Sequence, residues 1–400
     1  MKKTISGLLA LLLLVSVCAG CGSKDGQTDR ENEDGQVENQ DSTRNTGSLL
    51  AELAGIEANE TVLEMDGTSI PADMVLYWLV NTCSELEYQL KIYNIYYGLY
   101  GEVLDEDSNI LWDQSLEGEP LADMVREEAE NSALSYALME NVAKANNVAL
   151  TAEDQAELEE VIAGQIEQAG GEEAFLQDLY EQGLSFKSYK RILSCNYLYQ
   201  RLVDLAADPS SEMYKAPGDD DAYVDHILLT TADSATGEPL SDEDAAAKKA
   251  QAEDLLAQLE ASDDLEALFT EFADTYGEDP GRATDAGYLI DPDTNFVQEF
   301  KDAAFALKPG EISGIVESSY GYHILLRKEL TADQLRSLAG EALGAYLDAR
   351  METALAGVVR TGKLDGVNVG EIYNSYVAKL QELHPELVQN AGEAADSATE

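Results

Sequence analysis

Residues 222–229 read Ala-Tyr-Val-Asp-His-Ile-Leu-Leu, an apolar run of strand length with a lone histidine in its second half. The residues downstream of this run decide the fold. Ser241 to Leu259 reads as an Ala-rich helix, Leu265 to Tyr276 as a second helix, and Glu299 to Leu307 as a short third. Ile315-Val316 and His323-Ile324-Leu325-Leu326 read as closing strands about a turn at Tyr320-Gly321. A strand, then helices, then two strands within 222–329 make a small α+β domain.

The texture on either side is different. Upstream, Thr61 to Gly67 reads as a short strand ending on an Asp-Gly turn, and Ile70-Pro71 is placed to open a helix. Val75, Leu79, Cys83, Leu86 and Leu90 recur at the spacing of one helical face. Helices are expected at about 119–147, at 152–168 behind the cap Thr151, and at 172–207 with a break near Gly183 and Ser185. Residues 49–215 therefore read as an almost wholly helical domain, joined by a Pro/Gly/Asp-rich linker to 222–329. Downstream, Thr331 caps a helix expected to run to about Arg360, and a second helix covers about 370–383. Helical segments on both sides of the insert suggest that 330–384 packs back on the N-terminal helices, with 385–400 as a disordered tail. The expected class is α+β, a small antiparallel sheet with helices inserted into one mostly α domain.

Charge excludes several functions. Against 25 Lys+Arg stand 78 Asp+Glu, a formal net charge of −53. Such a chain is repelled by phosphate backbones and by anionic headgroups, so nucleic-acid binding and electrostatic adhesion to a membrane are excluded. Hydrophobic residues at 44% are enough for true cores. The four cysteines do not form the pattern of a disulfide-dense scaffold. Cys83 and Cys195 lie in helical segments and read as buried apolar residues, with a bridge between them left open.

At the N-terminus, Lys2 and Lys3 precede an apolar run from Ile5 to Val17 that is too short to span a bilayer. The run leads into Cys18-Ala19-Gly20-Cys21. This resembles the lipobox of bacterial lipoproteins, which implies a signal and lipobox over 1–21, cleavage before Cys21, and lipid attachment at Cys21 as the new N-terminus. The chain is then expected to be exported and anchored to the outer face of the cytoplasmic membrane. Residues 22–48 are polar and charged and read as a disordered tether.

Six ordered pieces within 222–329 carry a more specific resemblance. They are His226-Ile227-Leu228-Leu229, Thr275-Tyr276-Gly277-Glu278-Asp279-Pro280, Ala286-Gly287-Tyr288-Leu289, Phe300 to Leu307, Lys308-Pro309-Gly310-Glu311-Ile312-Ser313-Gly314, and Tyr320-Gly321-Tyr322-His323-Ile324-Leu325. Together they resemble a parvulin-type peptidyl-prolyl isomerase domain. With the lipobox and the flanking helices, the whole chain resembles the extracellular foldases of the PrsA type. That likeness implies catalysis of X-Pro rotation in exported polypeptides, a chaperone-like helical domain, and no cofactor or metal.

Carried over by position, the resemblance implies a proline socket of Leu289, Phe296 and Phe300. It implies a polar cluster in which His226 and His323 form a hydrogen-bonded pair, Ser318 orients His323, and Asp279 lies near the substrate carbonyl. Taken singly, each has a plainer reading: Asp279 before Pro280 as a turn residue, Leu289 as strand core, and the histidines as satisfied core residues. The sequence departs from the family's Gly-Gly-x-Leu-Gly, reading Ala286-Gly287-Tyr288-Leu289-Ile290. The loop Thr230 to Ser234 has no basic residue, unlike phospho-directed members, so phosphoprotein substrates are not expected.

The alternative function is a holdase-type chaperone with a weak or inactive isomerase domain. It is motivated by the Tyr-rich stretch Tyr88 to Tyr100, which either faces unfolded clients or lines its own core. A solute-binding lipoprotein is disfavoured, because no alternation of strands and helices suggests a doubly wound lobe.

Overall fold

A computed structural model describes residues 44, 47–116, 118–211, 213, 221–232, 238–282 and 287–385. The signal, Cys21, most of the tether, Ala286 and the tail beyond 385 lie outside the described residues. The chain falls into two compact units, one of residues up to 202 together with those from 343 onward, the other of residues 203–342. From the sequence the boundaries were expected at about 215 and 330. No helix among the described residues is long and apolar enough to cross a membrane.

In chain order the elements of the first stretch are α1 (Leu49–Ala54), β1 (Thr61–Met65), β2 (Thr68–Pro71), α2 (Ala72–Tyr97), β3 (Ser115–Leu116) and β4 (Glu119–Pro120). Then come α3 (Leu121–Ala145), α4 (Ala152–Gln168), α5 (Glu172–Gln182) and α6 (Phe186–Ala207). The second unit contains β5 (Ala222–Thr230), α7 (Asp242–Glu260), α8 (Leu265–Tyr276), β6 (Tyr288–Ile290), α9 (Gln298–Ala306), β7 (Val316–Ser318) and β8 (Gly321–Lys328). The chain continues with α10 (Ala332–Ala354), β9 (Val359–Arg360) and α11 (Val369–Leu383). The α+β class is as expected.

The first unit departs from an all-helical reading in three places. Asp66 and Gly67 both adopt positive φ, 50° and 83°, which makes a tight hairpin turn of the primed kind. β1 therefore recruits Thr68–Pro71 as a second strand, and the helix expected at Ile70-Pro71 begins only at Ala72. The helix capped at Thr331 was expected to reach Arg360, but it stops at Ala354. Val359 and Arg360 instead pair antiparallel with Glu64 and Leu63. A β-branched pair, Val358-Val359, beyond Gly357 favours strand over helix once the free edge of β1 is in reach. The short β3–β4 hairpin is the third departure.

Two polar devices fasten this unit. Thr151 caps α4 in a reciprocal capping box with Asp154, and Arg201 grips the Asp154 carboxylate at 2.6 Å. Asp73, fully buried at the start of α2, accepts from Ser185 N–H and Oγ and from Ser188 Oγ, joining α2 to the start of α6. Cys83 and Cys195 are both buried free thiols, whose pKa values burial pushes upward. The bridge left open by the sequence is not formed.

The second unit is built on a four-stranded sheet in the order β6-β5-β8-β7, with every neighbouring pair antiparallel. Strand alternation gives this sheet two apolar faces. On one, Ile227, Leu229, Tyr322, Ile324 and Leu326 pack on Ala252, Leu255 and Leu259 of α7 and on Phe269, Phe272 and Ala273 of α8. On the other, Ala222, Val224, Ile290 and Leu325 pack on Phe300 and Ala304 of α9. Burial on both faces is why β5 reads as a nearly continuous apolar run. Gly287 lies so close to β5 that a Cβ there would come within 2.1 Å of the Val224 carbonyl oxygen, so no other residue fits.

Candidate active site

Register places the two histidines. His226 pairs with Leu325 and Leu228 with His323, so His226 and His323 are diagonal neighbours on the α9 face of the central strand pair. Their ring centres are 5.5 Å apart, and both side chains are almost fully buried. α9 lowers Phe300 onto the same spot. Its ring meets His226 edge-on at 5.1 Å and His323 at 5.5 Å. Phe296, half-buried, stacks on Phe300 at 5.0 Å and meets Tyr288 at 5.2 Å. The result is a buried floor of two imidazoles and a phenyl ring beneath a half-exposed aromatic rim.

The polar partners differ for the two imidazoles. His226 Nε2 lies 3.1 Å from Asp279 Oδ2, and the Tyr288 hydroxyl donates to that same oxygen at 2.5 Å. Gly281 N–H donates to Asp279 Oδ1 at 3.1 Å. The His226 bond, the Tyr288 hydroxyl and the Gly281 amide together hold the Asp279 carboxyl well below the usual carboxylate range. A carboxylate has no proton to give, so His226 Nε2 must carry the hydrogen of that bond. Burial, and next the hydrogen bond to Asp279, push the Tyr288 phenol upward, so it stays a donor. On the other side, Ser318 Oγ lies 2.7 Å from His323 Nε2 and accepts the Tyr320 N–H at 3.1 Å. Burial, and next the charge of His226, lower the His323 pKa to about 4, so this ring is neutral at physiological pH.

The histidines were expected to share a hydrogen bond, and they do not. Each commits Nε2 to another partner, and Nδ1 of both rings is buried with none among the described residues. Leu289 is a second correction. It pairs with Tyr223, and strand alternation turns both to the face opposite the histidines. The side chain that β6 sends to the cluster is Tyr288, one residue earlier. Sequence reasoning missed Tyr288, although its period-2 relation to Ile290 in a buried strand was the signal that could have found it. The structure thus brings together His226, His323, Ser318, Asp279, Phe296 and Phe300 and leaves Leu289 outside.

Chemically this is a place for binding and polarisation. It offers flat apolar surface, one fixed anion at Asp279 and a neutral imidazole at His323. The serine hydroxyl is 2.7 Å from the His323 ring, but among the described residues no acid backs that ring as a nucleophile's base would need.

A family model described as Rotamase: PPIC-type PPIASE domain matches residues 226–329. That segment is a parvulin-type domain. Among curated proteins, the Foldase protein PrsA of Staphylococcus aureus strain MRSA252 is 32% identical over 172 residues, which covers 42% of this chain and 50% of that protein. The protein of the same name from strain Newman matches with the same figures. The chain thus spans about half the length of the curated relatives it matches. Among solved structures, a peptidylprolyl isomerase (PrsA) from Bacillus cereus is 19% identical, covering 59% of this chain and 85% of that one at a TM-score of 0.28. PrsA from Bacillus subtilis is 20% identical, covering 62% and 88%, with a TM-score of 0.23. The parvulin-type domain takes its fold here from the strand register and packing described above.

Proposed function

We propose that the protein is a peptidyl-prolyl cis-trans isomerase and foldase that acts on exported polypeptides with X-Pro bonds. Rotation about X-Pro faces a barrier of ~18–20 kcal/mol because the C–N bond has double-bond character. The planar amide carries extra negative charge on its oxygen, and twisting removes it. A site that strips water from that oxygen and sets a fixed anion beside it disfavours the planar state more than the twisted one.

The observation that carries this reading is the pairing of a buried Phe300 between two imidazoles with an ionised Asp279 at its edge. The proline ring would rest on Phe296 and Tyr288 above Phe300, with Asp279 near the carbonyl. Asp279→Asn keeps the shape and removes the charge. In a protease-coupled assay on an X-Pro peptide it is expected to lower kcat/KM about tenfold, equivalent to about 1.4 kcal/mol. An unchanged rate would leave Asp279 as a turn residue and displace the site. Phosphorylated substrates are disfavoured, since Thr230 N–H is already taken by the Glu278 carboxylate at 2.8 Å.

The sequence supports the rest of this reading. Lipid on Cys21 would anchor the chain to the outer face of the cytoplasmic membrane, and the helices of the first unit would hold clients. One observation favours the holdase alternative: Tyr88, Ile95, Tyr96 and Tyr97 are 64–73% exposed, so these four side chains do not line their own core. Suppression of client aggregation by a wild-type chain that leaves X-Pro exchange unaccelerated would select that alternative.

A further inference from the structure

The turn that presents Asp279 is fastened from the far side of the sheet. Arg282 places Nε 3.0 Å from Asp225 Oδ1 and Nη2 3.1 Å from Asp225 Oδ2, a two-pronged ion pair with side chains 9% and 5% exposed. Its remaining nitrogen, Nη1, bonds Asp274 of α8. Asp225 precedes His226 on β5, and its Oδ1 also accepts the His226 N–H at 2.8 Å. Upstream of the turn, Glu278 N–H donates to the Leu228 carbonyl at 2.8 Å, and the Glu278 carboxylate takes Thr230 N–H and Lys248.

Asp279 and Arg282 are the two ends of one tight turn. Arg282 N–H donates to the Asp279 carbonyl at 3.3 Å, and Gly281 N–H to the Asp279 side chain at 3.1 Å. There is little slack in it, since a Cβ on Gly281 would lie 3.1 Å from the Tyr288 hydroxyl oxygen. Successive residues on β5 face opposite ways, so Asp225 can lock the turn on one face while His226 receives Asp279 on the other. A buried ion pair is weak evidence for stability, because desolvation offsets most of its attraction. A matched fork of two parallel bonds fixes direction as well as distance.

We infer that Arg282, through Asp225, is a positioning residue that sets the Asp279 carboxylate on His226 Nε2. The inference rests on the reading of Asp279 as part of an isomerase site. The test uses Arg282→Lys, which keeps the charge and loses the fork, and Asp225→Asn, which keeps the shape and loses the pair, both in the full chain. Each is expected to lower kcat/KM on an X-Pro peptide about tenfold, as a displaced catalytic group does. In an Asp279→Asn background the further loss is expected to be under twofold, because the group being positioned is already gone.

The second readout does not depend on activity. Nitrogen NMR of the imidazoles is expected to show His226 protonated on Nε2 alone in the wild type, and as a mixture of tautomers in both variants. Equal tenfold losses in the two backgrounds, or an unaltered His226 spectrum beside a lowered melting temperature, would reduce the ion pair to a structural bond and overturn the inference. If the wild type shows no isomerase activity at all, the functional reading fails by itself. The His226 spectrum then decides the positioning role alone.

Discussion

Phe300→Ala is expected to cost about 3–5 kcal/mol of stability in the second unit, the usual penalty for emptying a fully buried phenyl site, and at least a hundredfold in isomerase kcat/KM. The ring is 1% exposed and touches His226, His323 and Phe296, so its loss opens a void in the middle of the cluster. Water entering that void would solvate the substrate carbonyl and restore the preference for the planar amide. Phe300→Leu separates packing from chemistry. It keeps an apolar filler and should cost only about 1.5 kcal/mol, while the lost aromatic surface still lowers turnover about tenfold. Urea unfolding followed on resonances of the second unit, together with the peptide assay, measures both effects. Turnover retained in Phe300→Leu would make the ring plain core.

Acid should weaken the second unit well before carboxylates titrate. His323 is held down to about 4 from an ordinary 6.5, chiefly by burial. The unfolded chain takes up this proton near pH 6.5 and the folded chain only near 4, so between those values the unfolded state binds more protons. Stability from His323 is therefore complete above about pH 6.5 and is lost as pH falls through 4, roughly 3 kcal/mol in all. Asp279, held lower still, takes over below its ordinary value of 3.8. His323→Gln, whose amide can still meet Ser318, is expected to flatten the limb between pH 6.5 and 4 and leave the lower limb in place. The unfolding midpoint of the second unit at half-unit pH steps checks this. An unchanged limb in His323→Gln would assign the acid sensitivity to another group.

What was legible in the sequence obeyed local rules. Thr151 announced its helix because a capping hydroxyl and an acid three residues on suffice to start one. Leu265 to Tyr276 was legible end to end, framed by Asp264 and Gly277. His226 and His323 could be brought together from ordered motifs that fix their register in the sheet, and Phe300 from the helix motif between them. What was not legible depended on partners distant in sequence. Val359-Arg360 becomes a strand only because β1, almost 300 residues earlier, leaves an edge open. Leu289 and Tyr288 swap roles because the face a residue takes is set by pairing with β5, and a shift of one residue reverses every side chain. The Asp225–Arg282 pair spans 57 residues, and nothing local marks it.

The most direct measurement is exchange NMR on a short peptide with a single X-Pro bond, added in excess to the 400-residue chain. Uncatalysed interconversion takes tens to hundreds of seconds, too slow to link the cis and trans signals. Exchange cross-peaks between the two forms are expected to appear with the wild-type chain and to fade with Phe300→Leu and Asp279→Asn. Their absence at any protein concentration, from a chain whose His226 and His323 signals report a folded second unit, would contradict the isomerase assignment.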